Sequence, residues 1–276
     1  GNKTSMVLGP SLGGLMIASI GVGSGYALDA ASFIAALLAL FAIAAMPPLG
    51  EPSRPGWTSV LEGLQFVRQA RRVMGAFAID LDAMVFGLPV ALFPVLALDM
   101  FHAGPTGLGL LVSAPAAGAV IGALSSGWMH RVRFPGRVIL GAVAVWGAAM
   151  ALVGLAPSLP LALVFLAIGG GADAISAIMR WTIVQVSTPD HLRGRVVALN
   201  SMVVSGGPRL GDIEATTVAA LTTAQISVVS GGLLCLAGMA VVIRFFPELR
   251  DYDMKADRLG PDIVETPPPV LAAAEV

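Results

Sequence analysis

Charge is what this sequence has least of. Asp, Glu, Lys and Arg make up 12% of its 276 residues, about half the roughly 25% of an ordinary soluble domain. That shortage excludes a nucleic-acid binder, an acidic tail protein and a disordered regulator. With a formal net charge of -1 there is no field to steer a polyanion, so no nucleic-acid partner is expected. A single cysteine, Cys235, cannot form an internal disulfide and leaves the redox compartment unread. Clusters of Cys and His with metal-ligand spacing are missing, as is a Walker-type phosphate loop. No metal or cofactor is therefore expected, and an ATP-driven pump within this chain is excluded. What fills the sequence is apolar: 56% hydrophobic residues and 33 glycines, with a mean hydropathy of +0.85. Small residues in such a background suit membrane helices, whose backbones they let approach. The composition reads as an all-α integral membrane protein.

A helix rising about 1.5 Å per residue needs about 20 apolar residues to cross roughly 30 Å of hydrocarbon. The pattern predicts eight spans: Met6–Val22, Tyr26–Met46, Val73–Met100, Pro105–Met129, Val138–Ala156, Pro160–Val186, Val196–Leu221 and Ile226–Phe246. Runs of this length without alternation exclude barrel strands. Short connectors at Gly21–Gly25, Phe101–Gly104 and Pro157–Leu159 make neighbours antiparallel. Basic residues fall on alternate connectors: Lys3; Arg54, Arg68, Arg71 and Arg72; Arg131, Arg133 and Arg137; Arg193 and Arg195; and Arg250, Lys255 and Arg258. The positive-inside rule places those connectors and both chain ends in the cytoplasm of a multi-pass plasma-membrane protein.

Between spans two and three, Trp57, Val60, Leu61, Leu64 and Val67 recur at helical spacing and predict an amphipathic helix on the membrane surface. Beyond Phe246 the composition turns to Pro, Asp and Glu, the mark of a disordered end. Gly1 in place of Met, with no signal peptide ahead of the first span, reads as a chain that starts inside a longer one.

Gly9-Pro10-Ser11-Leu12-Gly13-Gly14 puts glycines four apart beside a proline that loosens the turn, a close-packing face. The string resembles the G-P-x-x-G-G core of the antiporter motif on the fifth helix of major facilitator superfamily exporters. Tyr26–Phe33 is similar to the start of their sixth helix, Thr188–Val196 to the loop before helix eleven, and Gly207–Ala215 to helix eleven itself. The nearest branch is enterobactin-exporter-like, with macrolide-efflux relatives. The resemblance runs from Ser5 to about Tyr252 and implies helices five to twelve of a twelve-helix fold, a partial one. It implies the last two helices of the N-terminal half in residues 1–46 and a cytoplasmic central loop in 47–72. A C-terminal six-helix half follows in 73–246, then a disordered cytoplasmic tail in 247–276. The first four helices are then missing partners. The loop Gly127–Arg137 keeps the glycines and arginines of the superfamily's loop after helix two, with His130 near the place of its Asp.

A charge at the centre of a membrane helix costs about 2.5–3.5 kcal/mol on insertion scales, so each one needs a reason. Asp173 falls near the midplane of span six, and Asp80 and Asp82 lie on span three. The resemblance makes these helices ten and seven, which line the central cavity. The functional reading has the carboxylates titrate with proton movement or meet a cationic group of a substrate. The alternative is that they accept hydrogen bonds and hold helices together. Asp80 and Asp82 are about 200° apart around a helix and do not share a face.

Arg209 and Asp212, three apart on span seven, are placed to form a buried ion pair with Glu214 nearby. Arg180 is expected to snorkel to lipid phosphates from the cytoplasmic end of span six. Gly118 and Gly122 on span four, against Gly9 and Gly13 on span one, suit the contact at which the two halves rock, the alternative being packing inside one half. The expectation is a secondary active transporter rather than an enzyme. It exports a small hydrophobic or siderophore-like molecule against protons and is truncated in this chain. A non-transporting remnant or partner-binding module is the alternative.

Overall fold

The computed structural model describes residues 22–42, 57–87 and 89–254, and all regular structure among them is helical. Helix α1 is Val22–Ala42, α2 is Trp57–Gln69 and α3 is Arg71–Phe86. A broken segment of three short turns, Val90–Leu92, Phe93–Val95 and Leu96–Met100, continues α3. Helix α4 is Gly104–Leu124 and ends in a 3-10 helix, Ser125–Arg131; α5 is Pro135–Leu155, α6 Leu159–Ser187, α7 Arg193–Leu221 and α8 Ala224–Phe245.

Among the described residues five stretches are long and apolar enough to cross a membrane: Arg71–Met100, Gly104–Arg131, Pro135–Leu155, Leu159–Ser187 and Ala224–Phe245. They match expected spans three to six and eight. The seventh, α7, has the length at 29 residues but carries Arg209, Asp212 and Glu214. Over the second, the apolar helix Ala30–Phe41 is shorter than a span. Span one up to Gly21, with Gly9, Pro10, Gly13 and Gly14, lies outside the described residues.

The ends of these helices are written locally. Prolines occupy the first turn of α4, α5 and α6, where the missing N–H has no intrahelical partner to lose. The Thr223 hydroxyl accepts from the Ile226 amide at 3.1 Å and caps α8. Before α4 the chain reverses tightly through His102 (φ 49°) and Gly104 (φ 61°), the left-handed conformation that glycine adopts without strain.

Packing relies on backbone approach. Helix α4 lies against α6, α6 against α5, α5 against α8, and α3 against both α7 and α8. A Cβ on Gly118 would run into the Ala167 carbonyl, one on Gly122 into that of Gly171, and one on Gly170 into that of Pro115. Gly118 and Gly122 are buried. They seat α4 on α6, while Gly9 and Gly13, their expected partners across the two halves, lie outside the described residues. Gly207 and Gly211 of α7 likewise press on Met84 and Val85 of α3.

The described part of the expected disordered tail is a packed strap, which corrects that reading for 247–254. Leu249, Tyr252 and Met254 are buried, and the Leu249 carbonyl rests on Gly136 at the start of α5. Arg71 Nε meets Glu248 at 2.5 Å while its Nη2 donates to the Phe245 carbonyl. Arg133 meets Asp253 at 2.7 Å and Arg137 meets Asp251 at 3.8 Å. The Met254 amide donates to the Arg133 carbonyl at 3.0 Å. A bond from its own backbone amide and the Arg71 guanidinium hold the Glu248 carboxyl below its ordinary range. Bonds from Arg250, with the charge of Arg137 beyond, do the same for Asp251. Composition announced disorder here, but three apolar anchors among the charges outweigh it.

Candidate functional site

Asp173 is the central residue of the 29-residue α6, fourteen residues or about 21 Å from either end. Its side chain is 48% exposed and reaches the wall of a cavity of about 330 Å³. Met84 of α3, Val90 and Phe93 of the broken segment, Pro115 of α4 and Trp146 of α5 supply most of the remaining wall. Asp173 is the charged group in that lining.

Arg180 lies outside that lining but contacts Asp173. It is 7% exposed and does not snorkel, contrary to the sequence expectation. Its Nη2 lies 2.6 Å from Asp80 Oδ1 and 3.6 Å from Asp173 Oδ1, and its Nη1 donates to Ser176 Oγ at 2.5 Å. Asp173, Ser176 and Arg180 are spaced seven and four residues from the arginine, which aligns them on one face of α6. Helical side chains lean toward the N-terminus. Arg180 therefore reaches back along α6 toward Asp173 rather than out to the headgroups. That lean is the signal in the sequence for the contact. Asp80 comes from α3 and is itself 5% exposed; an arginine fork satisfies such a pair better than a lysine would.

Asp82 points the other way. Its Oδ1 sits where a Cβ on Gly238 would be, and its Oδ2 has no hydrogen-bond partner among the described residues. It belongs to the α3–α8 contact and is not part of the cluster around Arg180.

The expected Arg209–Asp212 pair is not formed. Asp212 Oδ1 instead accepts from the Ala91 amide at 3.1 Å, and no ion pair joins Arg209 to Asp212 or Glu214 among the described residues. Arg209 is exposed. The break after α3 explains the switch: its first turn has free amides, and Asp212 satisfies one of them. Trp146 Nε1 donates to the Ala83 carbonyl at 3.3 Å on the near side of the same break. The break is thus held from α5 and α7, and both its sides line the cavity. Of the loop arginines, Arg137 joins the strap, Arg193 pairs locally with Asp190, and Arg195 pairs with Glu62 of α2.

A family model described as transmembrane secretion effector matches residues 2–269. This chain belongs to that family of major facilitator proteins. The secretion effector sequence is 32% identical over 253 residues to the enterobactin exporter EntS of Citrobacter koseri, covering 91% of this chain and 60% of the relative. It is 31% identical over 273 residues to the EntS of Escherichia coli O1:K1 / APEC, covering 98% of this chain and 62% of the relative. The secretion effector chain thus spans about three fifths of the length of the curated relatives it matches. No solved structure matches it.

Proposed function

We propose that this chain contributes the C-terminal six-helix half, with the closing hairpin of the other half, to a proton-coupled exporter of a small hydrophobic or siderophore-like molecule. The observation that carries this reading is the Asp173–Arg180–Asp80 cluster at the wall of an apolar cavity. Intramembrane charges mark ion and substrate pathways, and broken helices near the midplane are where such transporters bind their cargo. The siderophore-like class comes from the name of the EntS relatives.

The arrangement suggests how coupling works. Arg180 is held by Asp80 and Ser176 whatever Asp173 does. Asp173, the exposed and more distant partner, is free to exchange its share of Arg180 for a proton or for a cationic group of the cargo. Substrate and proton then compete for one carboxylate, which is what antiport requires. The test is uptake into proteoliposomes holding the full-length protein. Enterobactin or a hydrophobic dye should accumulate under a pH gradient and lose that accumulation on adding a protonophore. Movement that ignores the gradient would remove the coupling; no movement of either compound would remove the exporter.

The same reading puts the strap and its arginines, and both chain ends, on the cytoplasmic side. Single cysteines at Gly104 and Leu159 should then react with an impermeant maleimide added outside cells, and one at His191 should not. Outside labelling at His191 would invert the orientation.

A further inference from the structure

The outer surface where α4, α5 and α6 meet carries an apolar groove of about 570 Å³, separate from the Asp173 cavity. Ile121, Trp128, Gly141, Val145, Val164 and Ile168 form its sides, and it has almost no polar lining. Its α5 wall runs from Val138 to Val145, about 10 Å at 1.5 Å per residue and the half of α5 nearer the arginine-rich end, while its α6 wall, Val164 to Ile175, extends past the depth of Asp173.

One end of the groove is charged. Trp128 lies in the 3-10 helix Ser125–Arg131, in which residues three apart eclipse one another. Arg131 therefore stands over Trp128 on the same face, one turn nearer the arginine-rich end of the bundle. Arg131 is exposed, donates from Nε to His130 Nε2 at 3.2 Å, and makes no ion pair among the described residues. Arg133, by contrast, is taken by Asp253 of the strap. On the facing wall Arg137 precedes the groove residue Val138 and meets Asp251 only at 3.8 Å. An apolar channel opening toward the arginine-rich end, an indole at its mouth and arginine beyond match an acyl chain, a glycerol backbone and a phosphate in that order.

We propose that this groove is a binding site for one anionic phospholipid of the cytoplasmic leaflet, its acyl chain between α4, α5 and α6 and its phosphate on Arg131. Basic pockets between membrane helices on the cytoplasmic side recognise such headgroups, and indoles favour the interface. This inference rests on the exporter reading only for which side of the membrane is cytoplasmic, and Asp173 does not enter it.

The test is native mass spectrometry of the full chain in mild detergent, with phosphatidylglycerol or phosphatidylcholine of equal chain length. Wild type should retain phosphatidylglycerol about five-fold better, which is about 1 kcal/mol for one arginine near the headgroup. Arg131→Gln should erase that preference, lowering retention of phosphatidylglycerol more than that of phosphatidylcholine. Gly141 lines the groove and has nothing within 4 Å of an added Cβ, so Gly141→Leu should fill the channel and release both lipids without disturbing the bundle. Gly109→Leu, equally open but outside the groove, should change neither. Equal retention of the two lipids by wild type, or unaltered retention by Gly141→Leu, would overturn the proposal. So would a dimer that Gly141→Leu dissociates, because the groove would then belong to a second copy.

Discussion

Arg180→Gln should lower the stability of the inserted bundle by about 3–5 kcal/mol, the effect of removing one partner of a buried ion pair. The size follows from where each partner is left. Asp80 is 5% exposed and loses its contact at 2.6 Å, so its charge stays buried with nothing to balance it. Ser176, 1% exposed, loses its bond as well. Asp173 is half exposed at the cavity wall and can be hydrated, so most of the loss sits on Asp80. Removing both charges removes the penalty: Asp80→Asn with Arg180→Gln should be more stable than Arg180→Gln alone. Arg180→Lys should fall between, because an ammonium keeps the charge but lacks the fork by which Nη1 reaches Ser176 while Nη2 meets the carboxylates. Unfolding of the purified protein in a detergent series reads all three variants. A double variant no more stable than the single would show that Asp80 and Arg180 do not act as a pair.

Asp173→Asn should fold and bind substrate yet reduce gradient-driven transport by the full-length protein to the level of empty vesicles. Exchange of substrate at equal pH should survive. Asparagine keeps the size and the hydrogen-bonding capacity of the side chain but cannot take up and release a proton. The Asp80–Arg180 contact does not involve Asp173, so the bundle should keep its stability, and this separates the variant from Arg180→Gln. Measuring both modes in the same vesicles makes the split visible. If Asp173→Asn transports like wild type under a gradient, the proton role passes to Asp80, and the exposed carboxylate serves the cavity wall only.

The membrane class was legible in the sequence because 12% charge leaves too little polar surface to cover a soluble fold. Five of the eight expected spans were legible because length is counted against a fixed hydrocarbon thickness. Asp173 could be placed at mid-depth by counting along α6 alone. The family was legible because its motifs lie in order along the chain, and the match over residues 2–269 bears it out.

What only the tertiary structure decided was which helix faces which. In a soluble helix the apolar stripe marks the buried face. In lipid both the packed and the outward faces are apolar, so that signal disappears. Gly118 and Gly122 could therefore be assigned either to a contact between halves or to packing inside one, and the structure shows them on Ala167 and Gly171. Arg209 and Asp212 could be paired on spacing when Asp212 serves Ala91, 121 residues away in sequence. Arg180 could be sent to the lipid headgroups when Asp80, on another helix, lies 2.6 Å from it. Each partner was set by the packing of a second helix, and sequence periodicity fixes a residue's rotation about its own axis but not what stands opposite.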